Sequence, residues 1–151
     1  MKVLGIRNYS EGFRYCILDN SGGKVKCLNL DSENKITLPK GQDDNQLLTW
    51  YQDEIDRILD SNEDIERVAI KHNENMRDCY SKLKKVMFMD CISTLEALRK
   101  NLPVNSYVYN NLRINSKNVL DKAEAIVGKS QKYWDAKFAD AIMAANKEFE
   151  I

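Results

Sequence analysis

The chain has 151 residues, 43% hydrophobic and 30% charged, with 23 basic and 23 acidic side chains and a formal net charge of zero. That length and balance suit one globular domain with a solvated surface, large enough to bury a core without disulfide or metal staples. Zero net charge argues against a strongly cationic nucleic-acid binder, and no apolar run approaches the ~20 residues of a membrane span, so no membrane partner is expected.

Met1–Ile6 opens with a short apolar run fit for a buried strand, and Phe13–Asp19 follows the polar Ser10-Glu11-Gly12, which reads as a hairpin. The Asn20-Ser21-Gly22-Gly23 turn leads to Val25–Leu30 as a third antiparallel strand. Lys35-Ile36-Thr37-Leu38-Pro39 is a short edge-like stretch ended by a proline that cannot donate to a ladder. Asp43 and Gln46 form a cap pair for a helix with Leu47, Tyr51, Ile55, Ile58 and Leu59 on one face. A crossover then reaches the fourth strand, Glu66–Lys71.

The next helix runs over about 80–101. Leu83, Met87, Cys91, Leu95 and Leu98 line one side and Phe88 and Ile92 widen it, so most of its surface is expected to meet a core or a partner. Pro103 stops it. Val104–Tyr109 is the fifth strand, and helices near 116–127 and 133–149 close the chain, the last with Ala139, Ile142, Met143 and Asn146 on one face. The order βββαβαβαα predicts an α/β fold: a mixed five-stranded sheet with helices on both faces, in a single domain over 1–151.

Cys16, Cys27, Cys79 and Cys91 show no C-x-x-C spacing, and the one histidine, His72, cannot complete a zinc set. With no secretory leader ahead of them they are expected to be reduced thiols in a cytoplasm. No G-x-x-x-x-G-K-[ST] or G-x-G-x-x-G stretch occurs, so no nucleotide cofactor is expected. No Ser, Cys or Lys has a His partner placed by motif, and His72 reads as a loop surface residue, with a general base as the other reading.

Val3-Leu4-Gly5-Ile6, its polar loop and Tyr15-Cys16-Ile17-Leu18-Asp19 resemble the first hairpin of RuvC-type Holliday-junction resolvases, in the RNase H-like superfamily. Val68-Ala69-Ile70 sits where that superfamily has its fourth strand, and Ala139-Asp140-Ala141 resembles its closing A-D-A motif. The Thr37-Leu38-Pro39 step resembles small bacterial proteins with a degenerate version of this core. The resemblance implies an RNase H-like fold and locates a site. In active members one carboxylate follows the first-strand G-I, another ends the fourth strand, and one or two lie in the last helix. Two-metal phosphodiester hydrolysis requires them there, because Mg²⁺ takes oxygen ligands and two ions share the phosphate.

Arg7, Lys71 and Asp140 occupy those positions here. Two cations repel Mg²⁺, so the resemblance implies a metal-free site with no catalytic residue. The three either neutralise one another as an ion-pair network, or Arg7 and Lys71 grip a phosphate or carboxylate in the relict cleft. Glu74, Asp78 and Asp135 lie near the site elements and are the candidates to replace missing ligands in a divergent metal-dependent nuclease.

From Asp43 to Glu66 there are nine acidic residues and one basic one, whereas from Lys82 to Lys132 ten Lys or Arg face four carboxylates. Charged outer helix faces explain this, as would a binding surface. Tyr107, Tyr109, Arg113 and Lys117, then Lys129, Lys132, Tyr133 and Trp134, have the composition of base stacking beside phosphate contacts, or of a core edge with solvated lysines. Val86, Phe88 and Met89 are candidates for a homodimer surface, or equally for cover by the last helix. The sequence thus points to a catalytically inactive RNase H-like domain that binds nucleic acid or another anionic partner. A noncatalytic interaction or homodimerising module is the alternative, and a divergent nuclease the third.

Overall fold

Period-two alternation assigns each strand residue to one of two cores. In β1 (Lys2–Tyr9), Leu4 and Ile6 join one apolar cluster and Val3 joins the other, which places Asn8 on the first face and Gly5 and Arg7 on the second. β1 pairs antiparallel with β2 (Gly12–Asp19) over its full length, from Lys2 opposite Asp19 to Tyr9 opposite Gly12. The hairpin is longer than the apolar run predicts because polar Arg7 and Asn8 both find partners inside the protein. The computed structural model describes residues 1–75 and 77–151.

The third-strand position is split. β3 (Lys26–Cys27) pairs with Leu18 and Asp19 of β2, while β4 (Lys35–Thr37) pairs with Gly12, Phe13 and Arg14 at its other end. Among the described residues the sheet therefore has six strands where the apolar pattern predicts five, and Val25–Leu30 contributes only two paired residues. Asn29 fills the break as a substitute strand. Its Oδ1 accepts from Ile17 N at 2.8 Å and its Nδ2 donates to the Tyr15 carbonyl at 3.1 Å.

α1 (Asp44–Asp60) carries the expected Asp43–Gln46 capping box and buries Leu47, Tyr51, Ile55, Ile58 and Leu59. It leads to β5 (Arg67–Lys71), parallel to β1, and then through α2 (Tyr80–Arg99) to β6 (Val104–Tyr107), parallel to β5. The order is β3-β2-β1-β5-β6, with β4 beside β2. α3 (Tyr109–Leu112), α4 (Val119–Val127), α5 (Ala136–Lys147) and a 3₁₀ turn over Glu148–Glu150 complete the chain. α1 and α2 cover one face of the sheet, and α4 and α5 the other. Among the described residues no helix is long and apolar enough to cross a membrane.

α2 turns a different face inward from the one its leucines suggest. Val86, Met89, Ser93, Glu96 and Ala97 are buried, while Met87, Leu95 and Leu98 are 65%, 57% and 55% exposed. The reason is polar. Tyr51 donates to Asn8 Oδ1 at 2.6 Å and lies 2.5 Å from Ser93 Oγ, Asn8 Nδ2 donates to Asp90 at 2.8 Å, and Gln52 donates to Glu96 at 2.7 Å. Leaving these groups unpaired in the core would cost more than exposing a few methylenes. Val86 and Met89, candidates for a homodimer surface or for cover by the last helix, are core residues packed in the cluster with α1.

α5 lies unusually close to the sheet, because Ala141 and Ala145 meet Gly5. A Cβ on Gly5 would stand 2.2 Å from the Ala141 carbonyl oxygen. This close approach delivers Asp140 to the end of β1.

Candidate functional site

Arg7 and Lys71 stand one residue beyond the last paired positions, Ile6 and Ile70, of two neighbouring parallel strands. Both lie on the face that α5 covers. Asp140 meets Arg7 there, with Arg7 Nε donating to its Oδ2 at 3.0 Å; the side chains are 11% and 4% exposed. Arg7 also donates to the Asn8 carbonyl and, at 3.4 Å, to Asn73.

Lys71 is buried and is not bonded to Asp140. Its Nζ donates to Glu74 at 2.6 Å and to the His72 carbonyl at 2.8 Å, and sits 3.9 Å from the centre of the Tyr109 ring. Tyr109 closes the circuit. Its hydroxyl donates to Asp140 Oδ1 at 2.7 Å, and its backbone N–H donates to Glu74 at 3.0 Å. Burial pushes the Tyr109 hydroxyl up, and its bond to Asp140 pushes it further. Burial alone would raise the Glu74 carboxyl, but the bonds from Lys71 and the Tyr109 amide outweigh it and hold the pKa below the ordinary value. Two cations and two carboxylates thus form a locally neutral network, each charge hydrogen-bonded, the arrangement that makes buried ions tolerable.

A divalent metal pair does not fit these residues. Both Asp140 oxygens accept bonds, from Arg7 and Tyr109, and the Arg7 cation beside them repels a divalent ion. Among the described residues no three His, Cys, Asp or Glu side chains are grouped to hold a metal.

Beside the network a polar cleft of about 300 Å³ is lined by Arg7, Tyr9, Asn73, Lys82 and Lys137, and also by the carboxylates Glu11 and Asp78. Among the proposed substitute carboxylates, Glu74 enters the network and Asp78 lines this cleft. Asp135 is instead the N-cap of α5, accepting from Phe138 N at 2.8 Å, and pairs with Arg14.

The chain superposes on T. thermophilus RuvC in complex with a Holliday junction substrate at a TM-score of 0.77 and 16% identity, covering 96% of this chain and 90% of that one. A second Thermus thermophilus RuvC structure matches at 0.75 and 15% identity over 96% and 91%. The yeast mitochondrial Holliday junction resolvase Ydc2 matches at 0.59 and 14% identity over 95% and 75%. The fold is RuvC-like, of the RNase H-like kind. No family model and no curated protein matches the sequence.

In this RuvC-like frame, the aromatic and basic residues singled out from the sequence separate into two groups. Tyr107 and Tyr109 are half-buried with hydroxyls committed to Glu148 and Asp140. Arg113, Lys117, Lys129 and Lys132 are exposed, Arg113 in the left-handed backbone region that ends α3.

Several residues that organise the site escape sequence reasoning. Arg14 is fully buried, stacks 4.8 Å from the Phe138 ring centre, and binds Asn34, the Tyr133 carbonyl and Asp135, so it clamps the loop before α5 onto β2. On the opposite face, His72 is not a free loop residue. Its Nδ1 lies 2.9 Å from Asp90, which accepts from Asn8. Only the polar residues at apolar strand positions, Asn8 and Arg14, carry a sequence signal for these contacts.

Proposed function

We propose that this chain is a non-cleaving RuvC-like domain that binds nucleic acid through the cleft beside Arg7. The observation that carries the reading is the closed network of Arg7, Asp140, Tyr109, Lys71 and Glu74. The motif resemblance puts the metal ligands of active resolvases at these positions, and here the carboxylates are bonded to cations, which supports the reading. Arg7, Lys82 and Lys137 outnumber Glu11 and Asp78 in the lining of the cleft, a balance that favours phosphate oxygens. A similar fold has been solved on a Holliday junction substrate, which supports nucleic acid over other anions. Lys71 is buried, so it holds the network while Arg7 meets the ligand. Four unpaired cysteines support a reducing, cytoplasmic setting.

The test is an anisotropy titration with labelled single-stranded, duplex and four-way-junction nucleic acid at low and physiological salt, comparing wild type with Arg7→Ala/Lys137→Ala. Salt-sensitive binding that the variant loses is the expected result; no binding even at low salt refutes the reading.

A second reading rests on the outer face of α2. Tyr80, Met87, Leu95 and Leu98 are exposed along the helix, and a contiguous apolar stripe of this kind marks an interaction surface. A second copy of the chain covers it in this reading, with Phe88 at its border. Sedimentation of wild type and Leu95→Glu separates the cases: a wild-type dimer that the variant breaks supports it, and a wild-type monomer removes it.

A further inference from the structure

The ring of Tyr133 stands out into solvent. The residue is 55% exposed and its backbone has φ of 57°, a region that residues with a Cβ adopt only when their surroundings impose it. The imposition is visible. Arg14 donates to its carbonyl, and the preceding Lys132 carbonyl accepts from Asn34 Nδ2 at 3.1 Å and Ser130 Oγ at 2.7 Å. A buried arginine, a buried asparagine and a buried serine therefore hold a strained turn whose product is an aromatic ring in solvent.

Two cations flank that ring. Lys35 Nζ lies 4.9 Å from its centre and Lys132 Nζ 6.0 Å. Towards the cleft the pattern repeats, with Lys137 Nζ 5.0 Å from the ring of Tyr9, a residue that lines the cleft with Arg7. Arg7 and Tyr9 end β1, Lys35 is paired beside Arg14 on β2, and Lys137 and Tyr133 flank the start of α5, so these groups share one end of the sheet. Alternating rings and ammonium groups match a strand whose bases stack while its phosphates pair with lysines. A duplex keeps its bases stacked on one another and offers no free face to a protruding tyrosine.

We infer that the ligand of this protein has unpaired bases, and that Tyr133 stacks one of them while Lys35 and Lys132 hold the adjoining phosphates. This rests on the reading that the cleft binds nucleic acid, and it specifies the substrate class as single-stranded or locally opened.

The experiment measures anisotropy of labelled oligothymidylate, oligouridylate and a blunt DNA duplex with wild type, Tyr133→Ala and Tyr133→Phe, with thermal melts to show that all three fold. Tyr133→Ala is expected to weaken single-strand binding about 5- to 150-fold, the range for loss of one stacked base, with Tyr133→Phe close to wild type and duplex binding unchanged. The stronger of the DNA and RNA strands identifies the sugar. Wild-type protein bearing 5-iodouracil oligonucleotide should photo-crosslink on the peptide that contains Tyr133.

Equal single-strand affinity of wild type and Tyr133→Ala overturns the inference, as does an equal loss on duplex, or crosslinks only on other peptides. Each of those leaves the cleft reading standing. Wild type that binds no nucleic acid in any form overturns both.

Discussion

Gly5→Ala tests the contact that brings α5, and with it Asp140, to the end of β1. The added Cβ would lie 2.2 Å from the Ala141 carbonyl oxygen and 2.9 Å from Ala145 Cβ, whereas ordinary van der Waals contact begins near 3.4 Å. Relief requires α5 to move by more than an ångström, because the first neighbour is backbone and not the end of a flexible side chain. Overpacking of a core by one methyl costs about 1–3 kcal/mol, and a rigid backbone neighbour puts this site at the upper end. For a domain of this size that is a fall in Tm of about 6–12 °C, at about 2–4 °C per kcal/mol. Thermal unfolding followed by circular dichroism gives the number. The shift should be accompanied by weaker nucleic-acid binding, since Arg7 loses its aligned partner. A Tm within about 1 °C of wild type would refute the close approach of α5 to the sheet and the placement of Asp140 that depends on it.

Asp140→Ala leaves Arg7 and the Tyr109 hydroxyl without their partner and should cost about 3–5 kcal/mol in urea unfolding. Adding Arg7→Ala should cost less than the sum of the single changes, and additivity within about 0.5 kcal/mol would show that the two are not coupled. Asp56 is hydrogen-bonded to the buried Glu96 carboxyl, which with partial burial raises its pKa from 3.8 to about 6. Its protonated form is favoured by folding, so that stability is full below the ordinary value and lost as pH rises through about 6. Asp56→Asn should therefore raise Tm above this window and leave it unchanged below, as thermal melts across pH will show. Cys79 should alkylate first in peptide mapping with iodoacetamide, because the Ser81 hydroxyl and the Lys82 amide lower its pKa on an exposed site. Burial raises Cys16 and pushes Cys27 up to about 12, so both should stay unmodified until unfolding.

The first hairpin and the crossover are legible because the apolar runs Val3–Ile6, Phe13–Leu18 and Val68–Ile70 mark strands that are buried on both faces. The split third strand is not, since its cause is an Asn29 side chain bonding as though it were backbone. The inward face of α2 departs from its apolar periodicity for a related reason. Hydrophobic periodicity weights Leu95 and Leu98, whereas hydrogen bonds from Asn8, Tyr51 and Gln52 fix Ser93, Asp90 and Glu96 against the sheet and α1. At the site, motif positions brought Arg7, Lys71 and Asp140 to one place, but the carboxylate that pairs with Lys71 comes from a loop, and loop direction has no periodicity to read. The tyrosine that ties the two ion pairs together looked like a strand residue and instead begins α3.

The central claim is that ion pairs have replaced metal ligation in a cleft that still holds nucleic acid. Incubating wild type with an end-labelled four-way junction in Mg²⁺ or Mn²⁺, and resolving the same samples on native and denaturing gels, tests both halves at once. The account predicts a shifted junction on the native gel and full-length strands on the denaturing gel, with neither metal altering the pattern. Metal-dependent nicking that disappears in Asp140→Asn would contradict it.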